Sequence, residues 1–414
     1  MLNISNNIVI SSNVVTILSI TIILLLSLSV SVILESFSIF PSTNFLHIQI
    51  AHSQLESQEV NALLDNADSL YNQQKYSEAM NLYDKVLALD PNNIYALSGK
   101  GNALYAQGKY QDAIISYDRI LSIDVNDVYA LAGKGRSFHG LGQYQEAIIW
   151  YDRALAIDPN DVYALAGKGA VLSGLGQDDG AITLLDKALA IDPNDVYALE
   201  NKGASLYDLG RYQEALTLLD KALAIDPNEV YALENRAAAL HDKGDYKEAI
   251  IWYDKILELD PGNVYALKNK GLALDDQGEY TEAIIWLDKV LAIDSEDLDA
   301  LKNKAIALHH KGDYDQAIIW YDKVLEIEPN AVDSLNNKGR IFFDMGRYTE
   351  AIIWYDKALE INPKEVTVLI NKSHALFNLG EEKEALTYID KALEVDPNDK
   401  KLLELKEAFQ DNTK

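Results

Sequence analysis

Residues 230–263 read VYALENRAAALHDKGDYKEAIIWYDKILELDPGN, and this 34-residue pattern decides the fold. Its first half carries Val, Leu, a small residue and Leu at positions 1, 4, 8 and 11, which lie on one face of a helix. Gly follows at position 15, and apolar residues at positions 17, 20, 21, 24, 27 and 28 predict a second helix. Pro at position 32 then disfavours helix at the residue before it. The pattern predicts a hairpin of two amphipathic helices.

The same pattern repeats ten times without an insertion, from Val60 to Asp399. Position 4 is Leu and position 20 is Ala in every frame, position 8 is always small, and Gln74 alone replaces Gly at position 15. Such a strict repeat predicts a solenoid, because a single helical hairpin can bury its apolar faces only against its neighbours. The ten frames begin at Val60, Ile94, Val128, Val162, Val196, Val230, Val264, Leu298, Val332 and Val366.

These residues resemble the tetratricopeptide repeat, which has small residues at positions 8 and 20, aromatic residues near 17 and 24, and Pro at 32. The resemblance covers residues 60–399, with departures at Asp178, Gly180 and Glu382. It implies an all-α fold, a right-handed superhelical α-solenoid whose first helices line a concave groove for peptide ligands. We expect residues 400–414 to form a capping helix and tail over the last apolar face.

The stretch 1–59 contains no Lys or Arg and differs in composition from the repeats. Every residue from Val14 to Leu34 is Val, Ile, Leu, Ser or Thr, and this run is long enough to cross a bilayer. We therefore predict that residues 1–53 are a membrane anchor, or a signal cleaved after Ser53, with 54–59 as a short linker. Both alternatives place the repeats outside the cytoplasm, membrane-anchored or secreted. A buried core helix is the third interpretation.

The formal net charge of −28 argues against nucleic acid as a partner, because phosphate binding requires clustered Lys and Arg. A cationic protein or peptide partner, or solubility alone, explains the charge better. The chain has no Cys, which excludes disulfides, thiolate nucleophiles and Cys-based zinc sites.

In the family that the repeats resemble, positions 2, 5, 6, 9, 12 and 13 face the groove, and two of these columns are ordered. Tyr at position 2 offers rigid amphipathic rings that suit a binding surface, or that simply pack on the next hairpin. This column consists of Tyr95, Tyr129, Tyr163, Tyr197, Tyr231 and Tyr265.

Asn at position 6 forms the second column. A carboxamide can donate to and accept from a peptide backbone, so the column predicts a ladder that holds an extended peptide. It resembles the asparagine ladder of the O-linked N-acetylglucosamine transferases and of armadillo-type import receptors. The alternative is solvated Asn inherited by duplication of near-identical repeats. The column consists of Asn201, Asn235, Asn269, Asn303, Asn337 and Asn371.

Acidic residues at position 13 accompany the Asn column and predict a preference for Lys- or Arg-bearing ligands, although a solvated acidic face is the alternative. These residues are Asp208, Asp242, Asp276 and Asp344. On the second helices, Ile-Trp recurs at positions 22 and 23, as in Ile251-Trp252. The exposed Ile row makes self-association through the convex face a second candidate, against Trp that packs between hairpins.

No motif for catalysis or for a cofactor is present in the sequence. His139, His241 and His309 share position 12 but lie two or three repeats apart, and His309-His310 near Asp275 and Asp276 is a weak metal candidate. The recurring Asp-Lys or Asp-Arg pair at positions 25 and 26 is better explained by ion pairs between helices. We therefore predict a non-catalytic scaffold that binds extended peptide segments at the cell envelope. The alternative is a non-catalytic accessory subunit or chaperone-like factor that positions substrates for a separate enzyme.

Overall fold

The computed structural model describes residues 42–412, with side chains from 57 to 410. This part of the chain is all-helical, has no strand and packs as consecutive hairpins. It divides into a first unit that ends at Leu141 and a second unit that begins at Gly142. The helices are α1 Ser42–Asn72, α2 Tyr76–Leu89, α3 Ile94–Ala106, α4 Tyr110–Ile123, α5 Val128–Gly140, α6 Tyr144–Ile157, α7 Val162–Gly174, α8 Asp178–Ile191, α9 Val196–Asp208, α10 Tyr212–Ile225, α11 Val230–Asp242, α12 Tyr246–Leu259, α13 Val264–Gln277, α14 Tyr280–Ile293, α15 Leu298–Lys311, α16 Tyr314–Ile327, α17 Val332–Asp344, α18 Tyr348–Ile361, α19 Val366–Leu379, α20 Glu382–Val395 and α21 Lys400–Asn412.

The frame positions set where the helices begin and end. After α1, each first helix begins at position 1, and every second helix begins at position 17. Asp or Asn at position 34 caps most first helices; for example, the Asp127 carboxylate accepts the Ala130 N–H at 2.7 Å. Between the helices, the glycines at position 15 have φ of 69° to 91°, and Gln74 adopts the same left-handed region at 60°.

The hairpins that lie within one unit are held by close contact between their two helices. The Ala at position 20 is fully buried in all ten repeats. Position 8 faces the large side chain at position 24: a Cβ on Gly101 would lie 2.9 Å from the Tyr117 ring, and one on Gly203 would lie 2.8 Å from Leu219. Small residues are therefore required at position 8 in these hairpins, because a larger one would overlap the facing side chain.

Neighbouring repeats are joined by an ion pair whose cation the sequence interpretation did not identify. The Asp at position 25 pairs with Lys or Arg at position 7 of the following first helix, not with the adjacent basic residue at position 26. Lys134 Nζ, for example, lies 2.6 Å from Asp118 Oδ1, and Arg236 Nε lies 2.6 Å from Asp220 Oδ1. The tenth Asp, Asp390, pairs with Lys406 of α21 at 2.7 Å. We call these contacts the junction ion pairs.

The ends of the described region differ in part from the predicted boundaries. Residues 54–59, predicted as a linker, are helical and lie inside α1. Gln54 to Glu59 contain no Gly or Pro, so nothing in this stretch interrupts the helix. At the other end, α21 buries Leu402 and Phe409, and the Phe409 ring stacks on Phe377 at 4.1 Å.

The predicted membrane segment, Val14 to Leu34, lies outside the described residues. Among the helices of residues 42–412, none combines the length and apolar character that a membrane span requires.

Candidate functional site

The tyrosines at position 2 lie at the surface of the first helices. Tyr95, Tyr129, Tyr231 and Tyr265 are 40–56% exposed, while Tyr163 and Tyr197 are half-buried. Tyrosines at position 24, in contrast, are almost completely buried. The column that the sequence predicted for binding is thus accessible over much of its length.

In the first unit, the side chains at position 9 form hydrogen bonds with the hydroxyl groups of the tyrosines. The Asp68 carboxylate accepts hydrogen bonds from Tyr83, at 2.7 Å, and from Tyr95 of the next repeat. The hydrogen bond to Asp68 is the main cause that raises the pKa of Tyr95, followed by burial. One repeat later, Asn102 accepts from Tyr117 at 2.8 Å and donates to Tyr129 Oη at 2.7 Å. Both exposed rings are therefore fixed in orientation.

A cavity of about 630 Å³ opens between these residues. The rings of Tyr71, Tyr95 and Tyr129 line it, together with the carboxylates of Asp68 and Asp127. Its size falls in the range of pockets that hold small ligands or side chains. The sequence interpretation identified Tyr95 and Tyr129 but missed the other three residues. The signal was present, because a carboxylate or carboxamide occupies position 9 only in the repeats around this cavity and is replaced by Ala170, Ala204 and Ala238 further along the chain.

The asparagines at position 6 are largely engaged within the protein. The Nδ2 groups of Asn201, Asn235 and Asn269 donate to the carbonyl four residues earlier in the same helix, at 2.7 to 2.9 Å. Asn201 is also buried. Asn371 Nδ2 instead donates to Asn336 Oδ1 of the preceding repeat at 2.9 Å. A carboxamide engaged through one N–H has only its second N–H and its oxygen for a ligand, so the ladder stays a prediction with fewer available groups than the sequence indicated.

The acidic column at position 13 pairs with position 12 of the preceding repeat. The Asp242 carboxylate accepts from Tyr207 Oη at 2.6 Å, and His241 Nε2 lies 2.7 Å from Asp276 Oδ2. His309 Nε2 similarly lies 2.8 Å from Asp344 Oδ2. Asp208 lies at the surface, where partial burial of its carboxyl, followed by the charge of Asp178, raises the pKa.

The two residue types exchange positions in one repeat pair, since Asp275 at position 12 lies beside His310 at position 13, with 2.9 Å between Oδ2 and Nδ1. Together with the previous contacts this gives four pairs, each 35 residues apart, which we call the 12–13 ladder. Three of the four predicted acidic residues are thus engaged by their neighbours. No group of three His, Cys, Asp or Glu side chains within the described residues has the geometry of a metal site.

A carboxyl at position 5 in the second unit is buried and, within residues 57–410, unpaired. Glu200, at position 5, is 6% exposed, and its Oε2 has no hydrogen-bond partner among the described residues. Burial, reinforced by the charge of Glu229, raises the pKa of Glu200 to about 8. At neutral pH this side chain is therefore mostly protonated, and it adds less negative charge to the first helices than the sequence suggests.

The Ile-Trp pairs of the second helices differ in exposure. Ile251 is 64% exposed, while Trp252 is half-buried beneath Arg236, whose guanidinium lies 3.9 Å from the ring centroid. Trp286 is flanked in the same way by Lys270 and Lys289, at 3.7 and 3.3 Å. The Trp residues therefore connect the junction ion pairs to the second helices, and the exposed surface of this row is mainly Ile.

Comparisons with known proteins agree with the repeat pattern. Family models described as tetratricopeptide repeat match residues 64–127, 201–264, 252–285, 296–364 and 342–408. A model of the anaphase-promoting complex, cyclosome, subunit 3 matches residues 141–222. No curated protein matches the chain significantly.

Two solved structures are similar to the chain. A tetratricopeptide repeat protein from Parabacteroides merdae is 22% identical, with a TM-score of 0.51, over 60% of this chain and 98% of that one. The hetero-tetramer Cut9-Hcn1 of the APC/C is 15% identical, with a TM-score of 0.48, over 84% of this chain and 76% of that one. At 22% identity, the similarity to the first of these structures concerns the fold alone.

Proposed function

The chain belongs to the tetratricopeptide repeat family, and we propose that it is a protein-interaction scaffold that binds extended peptide segments along its first helices. Folds of this family are typically scaffolds without a catalytic site. An accessory subunit that presents substrates to an enzyme on another chain would use the same surface.

The observation that carries the proposal is the exposed tyrosine column. Tyr95 and Tyr129 are about half exposed, yet their hydroxyl groups are held by Asp68 and Asn102. A ring that is already ordered loses little conformational entropy when a ligand covers it. Tyr is also among the residues that contribute most to binding energy at protein interfaces.

A peptide library screened against the full chain tests this proposal. We expect Tyr95→Ala combined with Tyr129→Ala, or Tyr231→Ala combined with Tyr265→Ala, to weaken selected peptides about tenfold or more. The matched control is Ile251→Ala with Ile285→Ala, which removes exposed side chains of the second helices. Equal losses in the control would move the binding site to the convex face and would support self-association or docking there.

The asparagine ladder needs a separate test, because several of its members donate to the helix backbone. Asn269→Ala, Asn303→Ala and Asn337→Ala together should weaken a bound extended peptide without unfolding the repeats, since a carboxamide has a second donor and an acceptor to offer. Peptide affinity is measured together with thermal unfolding of the triple variant. Unchanged affinity in the folded variant would remove the ladder from the binding site.

We also propose that residues 14–34 tether the scaffold to a membrane with the repeats outside the cytoplasm. The proposal rests on the length and composition of this apolar run. Mass spectrometry of the protein isolated from cells tests it, since an anchored chain keeps residues 14–34 and a cleaved one begins at Gln54. Repeats that resist added protease in intact cells, but not in lysed cells, would contradict the proposed orientation.

A further inference from the structure

The cavity in the first unit has the chemistry of a site for a cation. Four tyrosines and two aspartates line it, and no Lys or Arg is among its described lining residues. The negative faces of aromatic rings attract cations, and the attraction grows when the site is partly shielded from water. An anionic ligand would meet Asp68 and Asp127, and no cation in the lining would offset them.

The hydrogen bonds in the cavity favour a ligand that donates. The hydroxyl protons of Tyr83 and Tyr95 both point to the Asp68 carboxylate, so these phenols are engaged as donors and keep oxygen lone pairs as acceptors. Each carboxylate oxygen of Asp68 has further capacity to accept. A ligand with several N–H groups therefore fits better than one with acceptors alone.

The repeat itself shows which cation fits. One repeat further along, Arg136 lies over the ring of Tyr105 with its guanidinium carbon 4.0 Å from the centroid. The positive charge of Arg136 also acts on Tyr71. Burial raises the pKa of this phenol, and the charge of Arg136 partly opposes that rise. Tyr71 in the cavity is the counterpart of Tyr105 at position 12, and Asn102 is the counterpart of Arg136 at position 9. The cavity thus has Tyr71 where the stacked pair has Tyr105, and it has the shorter Asn102 where the stacked pair has Arg136.

We propose that this cavity binds the side chain of an arginine presented by a partner protein, which would stack on Tyr71 as Arg136 stacks on Tyr105. The planar guanidinium combines stacking with up to five N–H donors, which suits the carboxylates and phenol oxygens around it. This inference rests on the proposed scaffold function and assigns one specificity pocket within it.

Small arginine probes test the cavity independently of peptide binding. We would measure ligand-observed NMR of N-acetyl-arginine methylamide with the full chain, beside the citrulline analogue, which has nearly the same shape without the charge. The arginine probe should bind at least about tenfold more tightly than the citrulline probe. Equal binding of the two, or equal or tighter binding of the corresponding lysine amide, would overturn the assignment to a guanidinium.

Variants locate the binding. Asp68→Asn should weaken the arginine probe about tenfold, and Asn102→Arg should block it, because the new side chain would occupy the position over Tyr71. Asp242→Asn is the matched control, since Asp242 also accepts from a tyrosine hydroxyl but lies outside the cavity. Tyr129→Leu provides a second test should Asp68→Asn unfold. A loss of the same size in Asp242→Asn, or no loss in the folded cavity variants, would overturn the proposal.

The two proposals fail in different ways. Peptides that bind the tyrosine column regardless of arginine content would keep the scaffold function and overturn the arginine pocket. Binding of the arginine probe at the cavity, without any peptide binding, would keep the pocket and contradict the peptide scaffold.

Discussion

The first helices of the two units connect to their neighbours through different columns of side chains. In the first unit, Asp68 and Asn102 at position 9 hold the tyrosines of the next repeat, 27 residues away. In the second unit, position 9 becomes apolar at Ala170, and the contacts move to the 12–13 ladder, 35 residues apart. One hairpin template can therefore leave an open cavity or pair its polar groups internally, depending on which column is polar.

Exchanging the residue at position 6 should show the largest difference between the units. A Cβ on Gly99 would lie 2.4 Å from the Tyr83 ring, so Gly99→Asn forces the buried tyrosine to move. We expect a loss of about 3 kcal/mol in the free energy of unfolding, measured by urea denaturation. The reverse change, Asn269→Gly, should cost under about 1 kcal/mol, because Asn and Gly differ little in helix propensity. Similar losses for both would show that the tight contact with Tyr83 relaxes freely.

Position 5 gives a pH-dependent contrast, because the second unit has Glu200 where the first unit has Ser98. The pKa of Glu200 is raised from 4.5 to about 8, chiefly by burial. Its neutral form therefore stabilises the fold fully below pH 4.5, and this contribution is lost as the pH rises through 8.

Glu200→Gln keeps the side chain neutral, so it should stabilise the protein by on the order of 2 kcal/mol at pH 9 and have little effect at pH 4.5. Urea denaturation at both pH values measures the difference. Glu234→Gln is the control, because Glu234 is half-buried and receives a hydrogen bond from Asn263, and its gain should be smaller. A Glu200→Gln effect that does not change with pH would contradict the raised pKa.

The junction ion pairs should also differ in strength between the units. Lys338 is almost completely buried, pairs with Asp322 and lies 3.8 Å from the Trp354 ring centroid. Lys100 is more exposed and pairs with Asp84 at 2.6 Å, in a repeat whose position 23 is Ser116.

We expect Lys338→Met to cost about 2 kcal/mol in unfolding free energy, and Lys100→Met to cost under about 1 kcal/mol. Thermal unfolding at low and high salt measures both variants. Because the Lys100–Asp84 pair is the more exposed of the two, the free-energy cost of Lys100→Met should shrink further at high salt. Equal costs would show that stacking on Trp adds nothing to the junction.

The smallest expected effect concerns histidine in the 12–13 ladder. Burial lowers the pKa of His309 below 6.5, although Asp344 opposes this shift. The stability contributed by neutral His309 is therefore present above pH 6.5 and is lost as the pH falls through its folded-state pKa. His309→Gln should reduce the acid-induced loss of stability by under about 1 kcal/mol between pH 7 and 5. A larger acid-induced loss in this variant would reverse the assigned direction.

The sequence predicted the helices well because their boundaries depend on local signals. Positions 1 and 17 begin helices through the capping residue at 34 and the left-handed residue at 15, both of which are visible in one repeat. Residues 54–59 were assigned to a linker because the repeat pattern starts at Val60. A helix can extend past its pattern when no Gly or Pro stops it, and α1 does so.

The candidate site was less predictable because its contacts cross from one repeat to the next. Each column was considered alone, so the Tyr and Asp residues were all interpreted as ligand-binding groups. In the structure, hydrogen bonds connect different columns at separations of 27 and 35 residues. Asp68 thus accepts from Tyr95, and Asp242 accepts from Tyr207, within the protein. Likewise, Asn235 donates to the carbonyl four residues earlier in its own helix. This contact follows from helix geometry, and comparing the same position across repeats does not reveal it.

Because the junction ion pairs recur at the same separation along the sequence, a whole repeat can be removed or added without breaking them. Asp254 pairs with Lys270, and one frame later Asp288 pairs with Lys304, through the same separation along the sequence. If residues 264–297 were removed in register, Asp254 would stand as far before Lys304 as it now stands before Lys270, and Trp320 would lie under that lysine as it does now. The chain could thus be shortened or lengthened by whole repeats with its junctions preserved, whereas a change that is not a whole number of repeats would separate the aspartate before the cut from its cation.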